Sequence, residues 1–243
     1  MLVLPLAGFL ALTLSGHSAT GVTTATARTA RAAVPAARIF LRDCAVCHGA
    51  DARGTNRGPS LAHEGTASLD YWISTGRMPL SSPGAAPSRG TPKYPRRTID
   101  ALVRYVQSID GGGGPSIPVV NLATANVAAG GELFRLNCAA CHSWAGGGGA
   151  LTARAAPSTH QATATQIAEA IRVGPGRMPA FGPAALSKRQ LSEVVAYTRY
   201  LDHPDDRGGW ALGHLGPYSE GAVAVVIGLG LLVVAARWLG TRH

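Results

Sequence analysis

Residues 44–48 read Cys-Ala-Val-Cys-His, residues 138–142 read Cys-Ala-Ala-Cys-His, and the 243-residue chain has no cysteine outside these two stretches. Cys-x-x-Cys-His is the attachment pattern of c-type haem: the two thiols form thioether bonds to the porphyrin, and the histidine binds the iron. The two stretches therefore predict two covalently bound haem c groups, one attached at Cys44, Cys47 and His48 and one at Cys138, Cys141 and His142.

Two other kinds of site contain Cys-x-x-Cys. One is the thioredoxin-type redox pair, and the other is half of a zinc site. A zinc site would need the two pairs to converge in space, and a redox pair does not need the histidine that follows each pair here. Both interpretations are weaker than haem attachment.

The methionines supply the second axial ligands. Apart from Met1 the chain contains only Met78 and Met178, and both lie in a Gly-Arg-Met-Pro tetrapeptide. Met78 comes 30 residues after His48 and Met178 comes 36 after His142, which is enough chain to reach the opposite face of each haem. We expect His/Met ligation of both irons, and a thioether ligand raises the reduction potential. Such haems relay single electrons.

Two further histidines, His63 and His160, lie between an attachment site and its methionine and are the alternative sixth ligands. Neither has a matching context in the other half, so both are interpreted as surface or packing residues. Pro59 and Pro157 also lie in these intervals, each followed by serine. Their carbonyls could accept the ring N–H of the ligating histidine, a contact that fixes the imidazole.

These features belong to an internal repeat. Each half has an aromatic residue four positions before its first cysteine, the attachment site, the proline, the methionine, and then an amphipathic helical pattern. The matched positions are Phe40 and Phe134, helices at 38–42 and 131–136, helices at 99–106 and 191–198, and Tyr105 and Tyr197.

This order resembles the class I cytochrome c fold twice over. The resemblance implies an all-α protein of two tandem class I cytochrome c-like domains, in which the apolar haem supplies much of each core. The predicted segments are a signal peptide or N-terminal anchor at 1–27, domain one at 28–110, a linker at 111–128, domain two at 129–206, a juxtamembrane segment at 207–217 and a transmembrane helix at 218–240.

Both ends of the chain carry apolar segments. Residues 221–236 contain no charge, and with the flanking aromatic residues Tyr218 and Trp238 the segment reaches the roughly 20 residues that span a bilayer. Residues 2–14 resemble the apolar region of a secretory signal, although no basic residue precedes them. We favour export with cleavage over a retained N-terminal anchor.

The formal net charge is +9, and 22 residues are Lys or Arg. The basic residues are scattered, and no nucleic-acid-binding motif is present, which argues against a nucleic-acid partner. A polar run at 81–97 carries four of them and is interpreted as a long solvated loop, or else as a docking surface for an acidic partner.

Several stretches carry a more specific resemblance. They are Arg57–Leu61, Ser74–Pro79, Gly131–His142, Leu215–Pro217 and Glu220–Gly221. In this order they are similar to the dihaem cytochrome c subunit of the actinobacterial-type cytochrome bcc complex, a menaquinol–cytochrome c reductase that associates with an aa3-type oxidase. The resemblance covers about 200 residues, from Arg38 to the end.

The resemblance implies an electron-transfer subunit with no quinol site of its own. The first haem would accept electrons from the Rieske iron–sulfur protein, and the second would pass them to the copper centre of the aa3-type oxidase. Cytochrome b would oxidise the quinol. Because haem c is attached after export, both domains should lie outside the cytoplasm, anchored to the cell membrane.

Three alternatives share the haem ligands or the haem count. They are a free-standing membrane-anchored dihaem carrier, a dihaem cytochrome that serves a dehydrogenase or another oxidase, and a dihaem peroxidase. A peroxidase needs an iron with an open position, and two methionines in matching places argue against it.

Overall fold

The computed structural model describes residues 36–151, 154–205 and 217–241 of the chain. The predicted signal peptide or anchor at 1–27 and residues 207–216 of the predicted juxtamembrane segment lie outside this part. Helices make up nearly all of the regular secondary structure of the described residues, in two successive units and a C-terminal apolar helix, with long loops between them. This confirms the predicted all-α fold.

The first unit contains four helices. They are α1 at residues 36–43, α2 at Ala45–His48, α3 at Thr66–Ser74 and α4 at Arg96–Ile109. Phe40 on α1 is buried among apolar residues of α4, and its ring lies 5.5 Å from that of Tyr105, centroid to centroid. The aromatic contact fixes α1, and hence the attachment turn that follows it, against α4.

The second unit repeats this arrangement. Its helices are α5 at Val127–Asn137, α6 at Ala139–His142, α7 at Ala164–Val173 and α8 at Lys188–Tyr200. The rings of Phe134 and Tyr197 lie 5.4 Å apart, the counterpart of the contact in the first unit. The matched aromatic positions of the sequence repeat are therefore matched contacts in space.

The sequence analysis did not predict a short antiparallel ribbon in the second unit. Strands β1, Gly149–Leu151, and β2, Arg154–Ala156, pair with Gly149 opposite Ala156. The ribbon joins the glycine-rich stretch after α6 to Pro157, so it positions the proline next to the attachment turn.

The two units pack against each other through α3 and α7. The side-chain amide of Gln166 donates to the carbonyl oxygen of Ser74, at 3.1 Å. Arg89 reaches across in the other direction and donates to the carbonyl oxygen of Gln161, at 2.5 Å, and to Oε1 of Gln166, at 2.8 Å. Hydrogen bonds from side chains of both units therefore hold the interface together.

The linker between the units contacts the start of α3. The amide of Ala67 donates to the carbonyl oxygen of Pro115, and the amide of Ile117 donates to Oγ1 of Thr66, each at 3.1 Å. A Cβ atom at Gly65 would lie 2.1 Å from that proline oxygen. Glycine allows the linker to approach the start of α3.

Most of the basic run at 81–97 is a largely exposed loop, as one of the two sequence interpretations predicted. The loop ends at Pro95, because α4 begins at Arg96. Lys93 pairs with Asp43 at 3.3 Å, and Arg89 contacts the second unit as described above. These two basic side chains of the run therefore bind partners within the chain.

The C-terminal helix runs without a break through α9 at Pro217–Val223, a π-helical segment at Ala224–Leu229 and α10 at Gly230–Gly240. Residues Ser219–Gly240 have a mean hydropathy of 2.3, and the apolar side chains of this helix are exposed. At 1.5 Å per residue the helix is about 33 Å long, which matches the thickness of a bilayer core. An exposed apolar helix of this length fits a membrane anchor.

Candidate haem sites

Each Cys-x-x-Cys-His stretch forms one helical turn. The amide of His48 donates to the carbonyl oxygen of Cys44 at 2.9 Å, and the amide of His142 donates to that of Cys138 at 2.9 Å. Because the turn is helical, residues three and four apart lie on one side. Both thiols and the imidazole are thereby held close together in each half.

The first cysteine of each pair is largely enclosed. Burial raises the pKa of the Cys44 thiol and of the Cys138 thiol to about 11 in each case. A redox-active Cys-x-x-Cys pair needs a thiol whose pKa is lowered, because the thiolate is the nucleophile. These thiols have the opposite property, which argues against the thioredoxin-type interpretation.

The zinc interpretation fails on geometry. Within residues 36–151, 154–205 and 217–241 no group of three or more His, Cys, Asp or Glu side chains could hold a metal ion. The two cysteine pairs belong to separate units and do not converge.

A proline carbonyl faces each histidine ring. Nδ1 of His48 lies 2.8 Å from the carbonyl oxygen of Pro59, and Nδ1 of His142 lies 3.0 Å from that of Pro157. A carbonyl can only accept, so Nδ1 carries the proton in each ring and Nε2 is left with its lone pair. The imidazoles are oriented to bind a metal through Nε2.

A cavity of about 670 Å³ opens beside the second attachment turn. Cys138, Cys141, His142 and Met178 all line it, together with Pro157. Its volume falls in the usual range for cofactor sites, about 300 to 1,000 Å³. The wall contains two thiols, one imidazole and one thioether, which is the donor set that a covalently bound His/Met haem requires.

Met78 and Met178 are both half-buried. The amide of Met78 donates to the carbonyl oxygen of Trp72 at 2.9 Å, which fixes the tetrapeptide after α3. Met178 packs against the apolar cluster of the second unit, which includes Ile171 and Leu186.

The two competing histidines have contacts elsewhere. Nδ1 of His63 lies 3.2 Å from the carbonyl oxygen of Gly112 in the linker. Nδ1 of His160 lies 2.9 Å from the carboxylate of Asp202. These contacts fit the packing roles that the sequence analysis favoured.

Several first-unit residues at the second site were not predicted from the sequence. The cavity of the second unit is also lined by Tyr71, Trp72, Arg77, Pro87 and Arg89. A signal was available only for Arg77, which precedes Met78 in the repeated tetrapeptide. Nothing in the sequence indicates that it faces the other unit, because the pairing of α3 with α7 is a tertiary feature.

The interface also contains a buried carboxyl pair that the sequence analysis did not identify. Glu169 on α7 is fully buried and accepts no hydrogen bond, and Asp70 on α3 is 1% exposed. Arg96 pairs with Asp70 at 2.7 Å. Burial, and then the neighbouring charge of Asp70, raises the pKa of Glu169 to about 9. At neutral pH Glu169 is therefore protonated.

The family model described as cytochrome c oxidase, cbb3-type, subunit III matches residues 31–106 and 125–197. Each matched segment contains one attachment turn and one Gly-Arg-Met-Pro tetrapeptide. The fold and the two sites thus define a protein of the cytochrome c class with two cytochrome c-type domains.

Curated relatives identify the family more narrowly. A cytochrome bc1 complex cytochrome c subunit from Corynebacterium diphtheriae is 37% identical over 219 residues, which cover 82% of this chain and 77% of the relative. The subunit of the same name from Mycobacterium tuberculosis is 37% identical over 215 residues, which cover 84% and 76%. The chain belongs to the family of cytochrome c subunits of the cytochrome bc1 complex, and its role is electron transfer.

Among solved structures, reduced recombinant cytochrome c4 from Pseudomonas stutzeri is 20% identical to the chain. The alignment covers 69% of this chain and 97% of that one, with a TM-score of 0.27. A score this low carries no argument about the arrangement of the two units.

Proposed function

We propose that the chain binds two haem c groups and carries single electrons between them as the cytochrome c subunit of a menaquinol-oxidising bcc complex. The duplicated attachment turn, with each histidine ring held by a proline carbonyl, is the observation that carries this proposal. The irons would be ligated by His48 and Met78 in the first unit and by His142 and Met178 in the second.

When bound, each haem supplies one-electron exchange at its iron. The protein contributes the covalent anchor through the thiols and an imidazole whose orientation is fixed through Nδ1. The thioether sulfur is a soft, neutral donor that favours the reduced metal. Apolar walls, such as the cluster around Ile171, exclude water and limit the reorganisation that accompanies electron transfer.

The proposed route enters at the first unit and leaves from the second. A Rieske iron–sulfur centre of the complex would reduce the first haem, and an aa3-type oxidase would oxidise the second. Cytochrome b would hold the quinol. Both units would lie outside the cytoplasm, with the C-terminal helix as a single-pass anchor in the cell membrane.

The ligands can be tested one haem at a time. Met178→Ala should remove the sulfur-to-iron charge-transfer band of one haem and lower its potential, because the soft sixth ligand is lost. Met78→Ala is the matched variant and should act on the other haem alone. If neither variant changes the band, the methionines are not ligands.

The complex can be tested by purification through a tag on this chain. Cytochrome b, a Rieske protein and an aa3-type oxidase should co-purify in stoichiometric amounts from membranes of the native host. If the chain purifies without them but with both haems, it is a free-standing carrier instead.

A further inference from the structure

Two arginines of the first unit face the cavity of the second unit. Arg77 is only 9% exposed, its Nη1 has no hydrogen-bond partner, and its guanidinium lies 4.9 Å from the centre of the Tyr71 ring. Arg89 lines the same cavity. Its hydrogen bonds go to the carbonyl oxygen of Gln161 and to the neutral amide of Gln166.

Neither arginine is neutralised by the part of the chain that the structure describes. The ion pairs found there involve other arginines, and no carboxylate lies within 4.0 Å of either guanidinium. Burial, together with the charge of Arg77, lowers the pKa of Arg89. Two cations side by side in a partly desolvated wall are unfavourable unless an anion joins them.

The position of these arginines identifies the anion. The cavity that they face is the one lined by Cys138, Cys141, His142 and Met178, the proposed seat of the second haem. Haem c carries two propionate carboxylates, and guanidinium groups bind carboxylates through charge-assisted hydrogen bonds. Arg177 of the second unit also lines the cavity, but its side chain is exposed, and the rest of the wall is mainly apolar. The two less exposed arginines of the first unit therefore mark where the propionate edge would lie.

We propose that Arg77 and Arg89 of the first unit bind a propionate of the haem that is attached at Cys138 and Cys141, across the interface between the units. This inference rests on the proposed dihaem function. It adds that the second haem site is completed by the first unit, and that the propionate edge of this haem faces the first unit.

The turn after α3 then serves both sites. The amides of Arg77 and Met78 both donate to the carbonyl oxygen of Trp72, at 3.1 and 2.9 Å. Met78 is the proposed ligand of the first iron and does not line the second cavity, whereas its neighbour Arg77 does. One short turn therefore carries a ligand for one haem and a propionate contact for the other.

The test is a redox titration of the full-length chain in detergent, with each haem followed separately. Met178→His identifies the second haem, because it should shift that haem's potential and leave the other unchanged. Arg77→Gln removes a positive charge beside the propionate, which destabilises the reduced iron. We expect the reduction equilibrium of the second haem to fall by about three- to tenfold, where tenfold equals about 59 mV for one electron.

Three variants accompany it. Arg89 lies on a loop, and Arg89→Gln should lower the reduction potential of the same haem. This variant tests the propionate contact if Arg77→Gln fails to fold. Arg77→Lys keeps the charge and should recover most of the potential. Arg104→Gln, an exposed residue of α4 that does not line the cavity, makes the same change in net charge and should leave both potentials unchanged.

The haem content of each variant, measured by the alkaline pyridine spectrum, separates this inference from the proposed function. If Arg77→Gln and Arg89→Gln retain two haems and the second potential is unchanged, or only the first haem shifts, the propionate assignment is wrong. If the unsubstituted chain lacks two haems, the proposed function itself fails.

Discussion

The residue that follows the histidine of each Cys-x-x-Cys-His turn differs between the units, whereas its backbone conformation is nearly the same. Gly49 has φ 80° and ψ 152°, and Ser143 has φ 62° and ψ 166°. This conformation is easily adopted by glycine and costs other residues on the order of 1 to 3 kcal/mol. The second unit therefore carries backbone strain directly next to its attachment turn.

Ser143→Gly should relieve this strain and stabilise the second unit by about 1 kcal/mol. Thermal unfolding of the dihaem protein, followed by circular dichroism, measures the gain. Gly49→Ser is the reciprocal variant and should be destabilising, since serine would have to adopt the positive φ of 80° at this position. A loss of stability in Ser143→Gly would contradict the assignment of strain.

The buried carboxyl pair predicts a pH dependence. The pKa of Glu169 rises from an ordinary value of 4.5 to about 9 on folding, with Asp70 on α3 and Arg96 on α4 facing it. Between these values the folded chain keeps a proton that the unfolded chain releases, so stability falls as pH rises through this window.

Glu169→Gln removes this titration. The variant and the unsubstituted protein should have similar melting temperatures below pH 4.5, and the variant should become progressively more stable between pH 5 and 9. Glu132→Gln, at an exposed position of α5, is the control. Parallel pH profiles for Glu169→Gln and the unsubstituted protein would show that Glu169 is ionised in the folded state.

At the scale of elements, each unit is built on the crossing of its first and last helices. Gly130 on α5 lies so close to α8 that a Cβ atom there would be 2.0 Å from the carbonyl oxygen of Glu193. Gly130→Ala should force the helices apart and destabilise the second unit by about 1 to 3 kcal/mol. Denaturant unfolding measures this loss.

Gly182→Ala is the matched control for that variant, because no atom lies within 4 Å of the Cβ position. It should leave the free energy of unfolding nearly unchanged. Equal effects of the two substitutions would mean that the close crossing of α5 and α8 does not determine stability.

Helices were predictable from sequence where one face is apolar and the other solvated. The pattern at 99–106 falls within α4 and that at 191–198 within α8. Helix α7 has an amphipathic pattern at least as clear as that of α8, and it was overlooked. Helix α3 was not predicted, because it is buried on two sides and includes buried polar residues such as Asp70. Burial of this kind removes the spacing of three to four residues between apolar positions that marks an amphipathic helix.

In the whole molecule, the attachment turns and the proline contacts could be predicted from local motifs, because these features depend on short stretches of sequence. The wall that the first unit adds to the second cavity was not predictable. It depends on how α3 meets α7, and no motif encodes that contact. The β-ribbon was missed because its strands are only three residues long, Gly-Ala-Leu and Arg-Ala-Ala, and contain no β-branched or aromatic residue.

The membrane anchor can be tested by ending the chain after Asp205, which removes Ser219–Gly240. We expect the full-length chain in the membrane fraction and the shortened chain in the soluble extracytoplasmic fraction, with its haems attached. The distribution of haem between the fractions is the measurement. Retention of the shortened chain in the membrane would show that the C-terminal helix is not its only attachment there.

The central claim is that each unit carries one covalently attached haem. The most direct measurement is the alkaline pyridine spectrum of the purified, exported protein, with haem counted per chain. We expect two thioether-linked haems, and one in the double variant Cys138→Ala and Cys141→Ala. A count of one or none in the unsubstituted protein would contradict it.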